Sequence, residues 1–293
     1  MKGIINIHKP RDFTSHDCVA IVRRIVGIKR VGHTGTLDPM ATGVLPICIG
    51  PATRIMEYLD HDQKEYRCTM ELGTSTDTCD IWGNVLGRKQ IDHLTRKKIR
   101  DAFLPFSGKI TQVPPMYSAV KVKGKKLYEY ARIGEEVEIK PRTVTIHALE
   151  VEEIQGGEIT FRVVCSKGTY IRSICRDVGE SLGVGGAMSG LIRLASGAFR
   201  IEDAIEMGQL RKMSSQGVAA IILPTDYPLV SYQKLEIDRE RALDFIHGKR
   251  IRPAGGVGEG KTRIYYNDIF LGMAAQTEKK GELKPDKIFH TEI

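Results

Sequence analysis

A single acid, Asp38, stands in the run Gly32-His33-Thr34-Gly35-Thr36-Leu37-Asp38-Pro39, inside a stretch from Val31 to Gly50 that also holds Gly43, Pro46 and Gly50. An Asp-Pro pair starts turns, and turn formation alone would account for Asp38. A glycine-rich turn beside a strand could also cradle phosphate. The run has neither the Lys-Ser/Thr of a Walker loop nor the G-x-G-x-x-G spacing, which argues strongly against a phosphate-loop enzyme. Residue types by themselves leave the purpose of Asp38 open. A second cluster is Lys121-Val122-Lys123-Gly124-Lys125-Lys126, the densest basic patch, with Tyr117 and Tyr128 nearby. It reads as a loop, either a solvated lysine turn or an arm that contacts RNA.

The elements that must carry these groups follow from hydrophobic spacing. Cys18, Val19, Val22, Ile25 and Val26 mark one face of a helix, with Ser15 as the expected N-cap and Gly27 as the stop. Tyr66, Cys68, Met70 and Leu72 alternate, which predicts a strand from 65 to 72. A polar, turn-rich stretch runs from Gly73 to Gly87, and Thr95 begins a helix through Phe103. Val144–Ile146 and Ile159–Cys165 read as further strands. Ile171, Ile174, Cys175, Val178 and Leu182 fall at helical spacing up to Gly183, with Arg172, Arg176 and Asp177 off that stripe. Strands and helices mix without a βαβ beat, so the class is α+β. Punctuation changes near Pro224–Pro228. Beyond it lie a helical pattern from Asp238 to Phe245, Gly/Pro-rich loops, and a strand near Arg263–Tyr266.

Bulk composition sets the setting. At 293 residues the chain is long enough for one large domain, or one large and one small. Lys and Arg total 44 against 36 Asp and Glu, a net charge of +8 that favours a polyanionic partner or simply aids solubility. The six cysteines form no Cys-x-x-Cys pair and mostly sit among apolar residues, which suits small hydrophobes in a reducing compartment better than a disulfide frame or a zinc site. The opening residues lack a signal-peptide core, and no run approaches a membrane span. The expectation is a cytoplasmic protein that binds no metal.

The run from Gly32 to Pro46 closely resembles the catalytic motif of the TruB family of tRNA pseudouridine synthases. Lys64-Glu65-Tyr66-Arg67 with Leu72-Gly73, Thr76-Asp77-Thr78 and Asp80 resembles the family's next motif. Gln112 to Lys121, Lys167 to Ile174, and Leu191-Ile192-Arg193 follow in family order over roughly the first 230 residues. The tail resembles the shortened PUA-like module of bacterial members.

The resemblance implies a pseudouridine synthase catalytic domain over 1–229, with a mixed, largely antiparallel sheet and a central cleft. It implies an RNA-binding insertion near 117–142 and a small β-rich PUA-like module over 230–293. Asp38 then matches the catalytic carboxylate, which attacks the ribose or stabilises positive charge there while uracil detaches, turns and rejoins through carbon 5. Routes through the base or a glycal stay open. Nothing is oxidised and no group leaves, so no cofactor is implied. Tyr66 matches the tyrosine that stacks on the target base and can act as a general base. Arg172 matches the arginine paired with the carboxylate, and such a pair keeps the acid ionised in a poorly solvated pocket. Tyr170 and Leu191 match pocket-lining positions. His33 resembles the histidine that helps extrude the nucleotide, by stacking rather than acid–base work. Arg54 stands where many relatives have lysine, and either side chain can meet phosphate.

The implied partner is tRNA through its T-arm stem-loop, with uridine 55 as target. Neither membrane, obligatory protein partner nor guide RNA is expected, and the chain is expected to act as a monomer. The other class left open is a tRNA-folding module whose chemistry is dispensable. Lys121, Lys123, Lys125 and Lys126 fall on the arm that closes over tRNA in the family. Limited proteolysis of this stretch should slow when tRNA is added, and an unchanged cleavage rate would count against the arm.

Overall fold

The alternation at Tyr66, Cys68, Met70 and Leu72 becomes the strand Lys64–Leu72, with those four side chains buried. The computed structural model describes residues 1–59, 63–253, 258, 260–279 and 281–293. Lys64–Leu72 is a central strand of a ten-stranded sheet. The spatial order is Ile205–Glu206, Gly3–Lys9, Thr42–Ile49, Gly186–Ser196, Lys64–Leu72, Glu158–Cys165, Arg142–Gln155 and Gly108–Gln112. Val31–His33 adds to Thr42–Ile49, and Phe199–Arg200 to Gly186–Ser196. Two pairings are parallel, Gly3–Lys9 with Ile205–Glu206 and Thr42–Ile49 with Gly186–Ser196; the others are antiparallel. The sheet is therefore mixed and largely antiparallel, as expected.

Thr42–Ile49 is a continuous apolar run because both of its faces are covered. Leu45, Ile47 and Ile49 join a core with the helix Ser15–Val26 (Cys18, Val19, Val22, Val26) and the helix Ile171–Ser181 (Ile171, Ile174, Cys175, Val178). Val44 and Cys48 face the other way, onto Ile4 of the neighbouring strand, onto Ala52 and Ile55 of the 3-10 helix Gly50–Tyr58, and onto Leu229, Met273 and Phe289. All six cysteines are free and buried.

Ser15 is not the N-cap. Thr14 holds that place, accepting from the Asp17 amide while the Asp17 carboxylate receives the Thr14 amide, a reciprocal capping box. Gly27 closes the helix in the left-handed conformation, as its position suggested. Thr95 caps Arg96–Phe103. The polar stretch after Gly73 contains a hairpin, Thr74–Thr76 with Val85–Arg88. Arg142–Gln155 is much longer than the short strand expected at 144–146, and register shifts break its pairing with Glu158–Cys165. The lysine patch is itself a small hairpin, Lys121–Val122 with Lys125–Lys126, followed by the helix Leu127–Arg132.

The C-terminal sheet runs Gln233–Glu236, Lys261–Tyr266, Ile269–Gln276, Leu283–Ile288 and encloses Phe245 of the helix Arg239–Ile246. Part of the Gly/Pro-rich loops expected there, 254–257 and 259, lies outside the described residues. Among the described residues no helix is long and apolar enough to cross a membrane.

The parallel contact at the sheet's centre spans only Ile192–Thr42 and Arg193–Gly43. Gly43 has φ +102°, and a Cβ there would sit 2.3 Å from the Arg193 carbonyl oxygen. Gly43→Ala should therefore lower unfolding free energy by roughly 2–4 kcal/mol in urea titrations. Gly87→Ala, at ordinary φ with nothing within 4 Å of the new Cβ, should change it by no more than about 0.5 kcal/mol.

Candidate active site

The segment between Val31–His33 and Thr42–Ile49 carries Asp38, and its backbone is held from three sides. The Lys9 ammonium is fully buried and donates to the carbonyls of Pro10 (2.8 Å), Phe13 (2.6 Å) and Pro39 (2.9 Å). Burial pushes this amine down to about 8, while Cys18, Asp38 and Asp12 act against that shift. The Ser15 hydroxyl accepts from the Leu37 amide at 2.9 Å and lies 3.2 Å from the Leu37 carbonyl, to which it can donate. Arg193, also buried, donates to the carbonyls of Val44 (2.6 Å), Thr36 (3.4 Å) and Gly35 (3.1 Å). The Asp-Pro turn itself closes through the Ala41 amide onto the Asp38 carbonyl at 3.1 Å. The loop thus turns carbonyls toward buried cations. A phosphate cradle needs the opposite polarity, with amides pointing inward, so the phosphate-loop alternative fails on geometry.

Asp38 keeps 38% of its side chain exposed and meets the Nε of Arg172 through Oδ2 at 2.9 Å. Arg172 starts the helix Ile171–Ser181, off its apolar stripe as the spacing showed, yet only 6% exposed. Its remaining donors are also engaged. Nη1 donates to the Thr78 carbonyl at 3.0 Å and faces Asp80 Oδ2 at 3.6 Å, and Nη2 donates to the Tyr117 carbonyl at 2.9 Å. Burial pushes the Asp80 carboxyl upward, while the Thr78 hydroxyl and then Arg172 pull it back. One guanidinium therefore serves two carboxylates and two carbonyls.

Beside Asp38 opens a cavity of about 430 Å³ walled by Tyr66, Tyr170, Leu191, Ile171 and Arg193, with Tyr117 and Tyr128 on its border. Tyr66 and Leu191 come from adjacent strands. Burial pushes the Tyr66 phenol up, and the positive charge of the Arg193 guanidinium opposes that shift. Tyr170 is fixed by the buried Gln112 amide, which donates to the Tyr170 carbonyl (3.2 Å) and accepts its N–H (3.1 Å).

Of the residues expected at the site, Asp38, Tyr66, Tyr170, Arg172 and Leu191 converge on this cavity. His33 lies just before it, its ring edge-on to His16 at 5.5 Å between centroids. Burial pushes His33 down to about 4, with His16 and Arg193 adding to the shift. An imidazole neutral at ordinary pH suits stacking. Lys121, Lys123, Lys125 and Lys126 do not line the cavity, but Lys126 sits 5.3 Å from the ring of Tyr128, which does. Arg54 does not line the cavity. It points away, donating to the Ile288 carbonyl and lying 5.0 Å from the Phe289 ring, because the 3-10 helix that carries it packs against the C-terminal sheet.

Lys9, Asp80, Gln112 and Arg193 received no individual role from the sequence, and Ser15 only that of a helix cap. Parity could have found two of them. Lys9 shares its strand face with buried Ile5 and Ile7, and Arg193 shares its face with Leu191 and Ala195, so each cation had to enter the core.

Three family models match most of the chain. Residues 23–171 match the family model described as TruB family pseudouridylate synthase (N terminal domain). Residues 172–230 match the tRNA pseudouridylate synthase B C-terminal domain, and 234–289 match Pseudouridine synthase II TruB, C-terminal. The chain is 49% identical over 251 residues to tRNA pseudouridine synthase B of Alkaliphilus oremlandii, covering 86% of this chain and 83% of that one. With the Bacillus cereus protein of the same name it shares 47% over 298 residues, 98% and 97% of the two chains. A solved Cbf5-Nop10-Gar1 complex contains a chain that is 28% identical with a TM-score of 0.74, over 98% of this chain and 85% of that one. A chain of an H/ACA RNP bound to a substrate RNA containing 2'-deoxyuridine matches at 26% and 0.74, over the same shares of the two chains.

Because folded His33 titrates near 4 and an unfolded histidine near 6.5, the unfolded chain binds the proton first as pH falls. His33 therefore withdraws stability between about pH 6.5 and 4. His33→Gln should flatten the fall in the urea midpoint across that window; an identical slope would place the imidazole in contact with solvent.

Proposed function

The chain belongs to the TruB family of pseudouridine synthases, and from that premise we propose that it isomerises uridine 55 in the T arm of tRNA, with Asp38 as the catalytic carboxylate. The observation that carries the reading is the 2.9 Å contact of Asp38 with Arg172 at the border of a cavity walled by Tyr66, Tyr170 and Leu191. A base out of its stack needs flat and apolar walls, and a carboxylate beside the sugar needs a counter-charge to stay ionised among them. About 430 Å³ falls within the size of small-molecule sites and admits one nucleobase with part of its ribose.

In this reading the carboxylate of Asp38 meets the anomeric carbon as the bond to N1 breaks, by attack or by stabilising positive charge. The freed uracil turns within the cavity and its carbon 5 bonds the sugar. The hydrogen on carbon 5 leaves as a proton and N1 gains one, so the product is an isomer. Tyr66 packs on the base and is placed to take the carbon-5 proton, with Arg193 supplying the positive charge that favours a phenolate. Arg172 holds Asp38 rather than the substrate. His33 fills the space the base leaves, and the Lys121–Lys126 hairpin and residues 230–293 bind RNA outside the cavity. Arg54, engaged by the C-terminal sheet, joins the two parts of the chain. The protein works in the cytoplasm as a monomer, without guide RNA or cofactor. The catalytic domain spans 1–229, and residues 230–293 form an RNA-binding module packed against it.

The test is tritium release from a T-arm stem-loop labelled at carbon 5 of uridine. Wild-type protein should release label from a bare transcript with no second RNA. Asp38→Asn should lose roughly 10³-fold or more in turnover while still binding the stem-loop. Retention of the whole activity in Asp38→Asn would support a folding module instead, and silence from folded wild-type protein would sink the assignment.

A further inference from the structure

Trp82 is the single tryptophan of the chain, and more than a third of it is exposed. It belongs to none of the buried clusters among the described residues, so the core does not explain it. Its backbone is fixed to the site. The Trp82 amide donates to Asp80 Oδ1 at 3.2 Å, the Ile81 amide donates to the Met188 carbonyl at 3.0 Å, and Asp80 Oδ2 faces Arg172. The guanidinium of Arg11 lies 5.3 Å from the centroid of the indole. Arg11 comes from the other side of Asp38. Its neighbour Asp12 donates through its amide to the Pro39 carbonyl at 3.0 Å, and Lys9 grips Pro10 and Pro39. Among the described residues Arg11 has neither an ion pair nor a hydrogen bond. Two segments anchored on either side of the carboxylate thus meet as an exposed cation over an exposed aromatic, outside the cavity.

We propose that Arg11 and Trp82 form a stacking site for an unpaired nucleobase of the RNA, adjacent to the one that enters the cavity. The inference rests on the reading of the chain as an RNA-acting enzyme. Extruding one nucleotide deprives its neighbours of a stacking partner, and an indole face replaces what they lose. The unpaired guanidinium fits the phosphate that follows that base, which selects a polyanion over a protein partner for this face. Exposed Val85 and Leu86 on the same hairpin make a protein the rival occupant.

A lone tryptophan makes the site directly readable. Titrating the full chain with the T-arm stem-loop should quench tryptophan emission saturably, and an abasic replacement of a nucleotide flanking the target uridine should weaken the quench. Trp82→Ala should raise KM for tritium release about tenfold, Trp82→Phe much less, and Arg11→Met should raise KM while shallowing its salt dependence. Emission unchanged at saturating RNA, or an unchanged KM in Trp82→Ala, overturns the stacking site while tritium release leaves the enzyme reading intact. Emission that follows protein concentration but not RNA assigns the face to a protein partner and overturns it as well. A folded wild-type chain that neither binds the stem-loop nor releases tritium brings down both.

Discussion

A guanidinium withdrawn from water must find its counter-charge and acceptors in fixed places, and Arg172 imposes that demand on the rest of the site. Asp38 and Asp80 supply the charge; the carbonyls of Thr78 and Tyr117 take the remaining donors. These partners come from the glycine-rich loop, the stretch after Gly73 and the segment before the lysine hairpin. Only the helix Ile171–Ser181 places Arg172 where all of them meet. Removing one member of such a set typically costs about 3–5 kcal/mol, chiefly because the other charges are left buried and unpaired. The network contributes position more than stability. It fixes one carboxylate oxygen while leaving the rest of Asp38 open to the cavity.

The same logic governs the loop itself. A glycine-rich stretch has high conformational entropy in the unfolded chain, and the Asp38 loop has few ladder partners to offset it. Lys9, Ser15 and Arg193 substitute for a ladder by taking carbonyls of Pro10, Phe13, Gly35, Thr36, Leu37, Pro39 and Val44. Burying two cations is unfavourable unless several acceptors converge on each, and here they do. The close approach of Gly43 to the Arg193 backbone is part of this arrangement, since it brings the parallel strands together where Arg193 must enter.

What could be read without coordinates divides along physical lines. Strand Lys64–Leu72 and helices Ser15–Val26 and Ile171–Ser181 were legible because each buries one face, and burial writes a period into the sequence. The five residues around the cavity were legible through motif resemblance, which carries spatial information that no local pattern holds. Asp80 was not, because its role depends on a guanidinium 92 positions away whose approach no local rule encodes. Ser15 was taken for a cap because a hydroxyl before an apolar face satisfies the capping rule equally well at Thr14. Only the meeting with Leu37 distinguishes them. The contacts of Arg54 with the Ile288 carbonyl and the Phe289 ring were not legible, because no local pattern encodes a meeting more than 230 positions away.

Arg54 also bears on how the two sheets act together. Tyr58, from the same 3-10 helix, donates to Asp286, and its ring packs edge-on to Tyr232. Lys261 reaches both Asp286 and the Tyr58 ring, and Phe289 and Met273 lie in one apolar cluster with Val44 and Cys48. Val44 is the residue whose carbonyl receives Arg193. The back of the strand that leads out of the Asp38 loop is thus the surface on which the C-terminal sheet rests. A contact that tilts the second sheet has a packed route, through Phe289 and Val44, to the backbone that Arg193 holds. Interiors packed at this density transmit displacement rather than absorb it, so the C-terminal sheet braces the Asp38 loop through the strand that follows it.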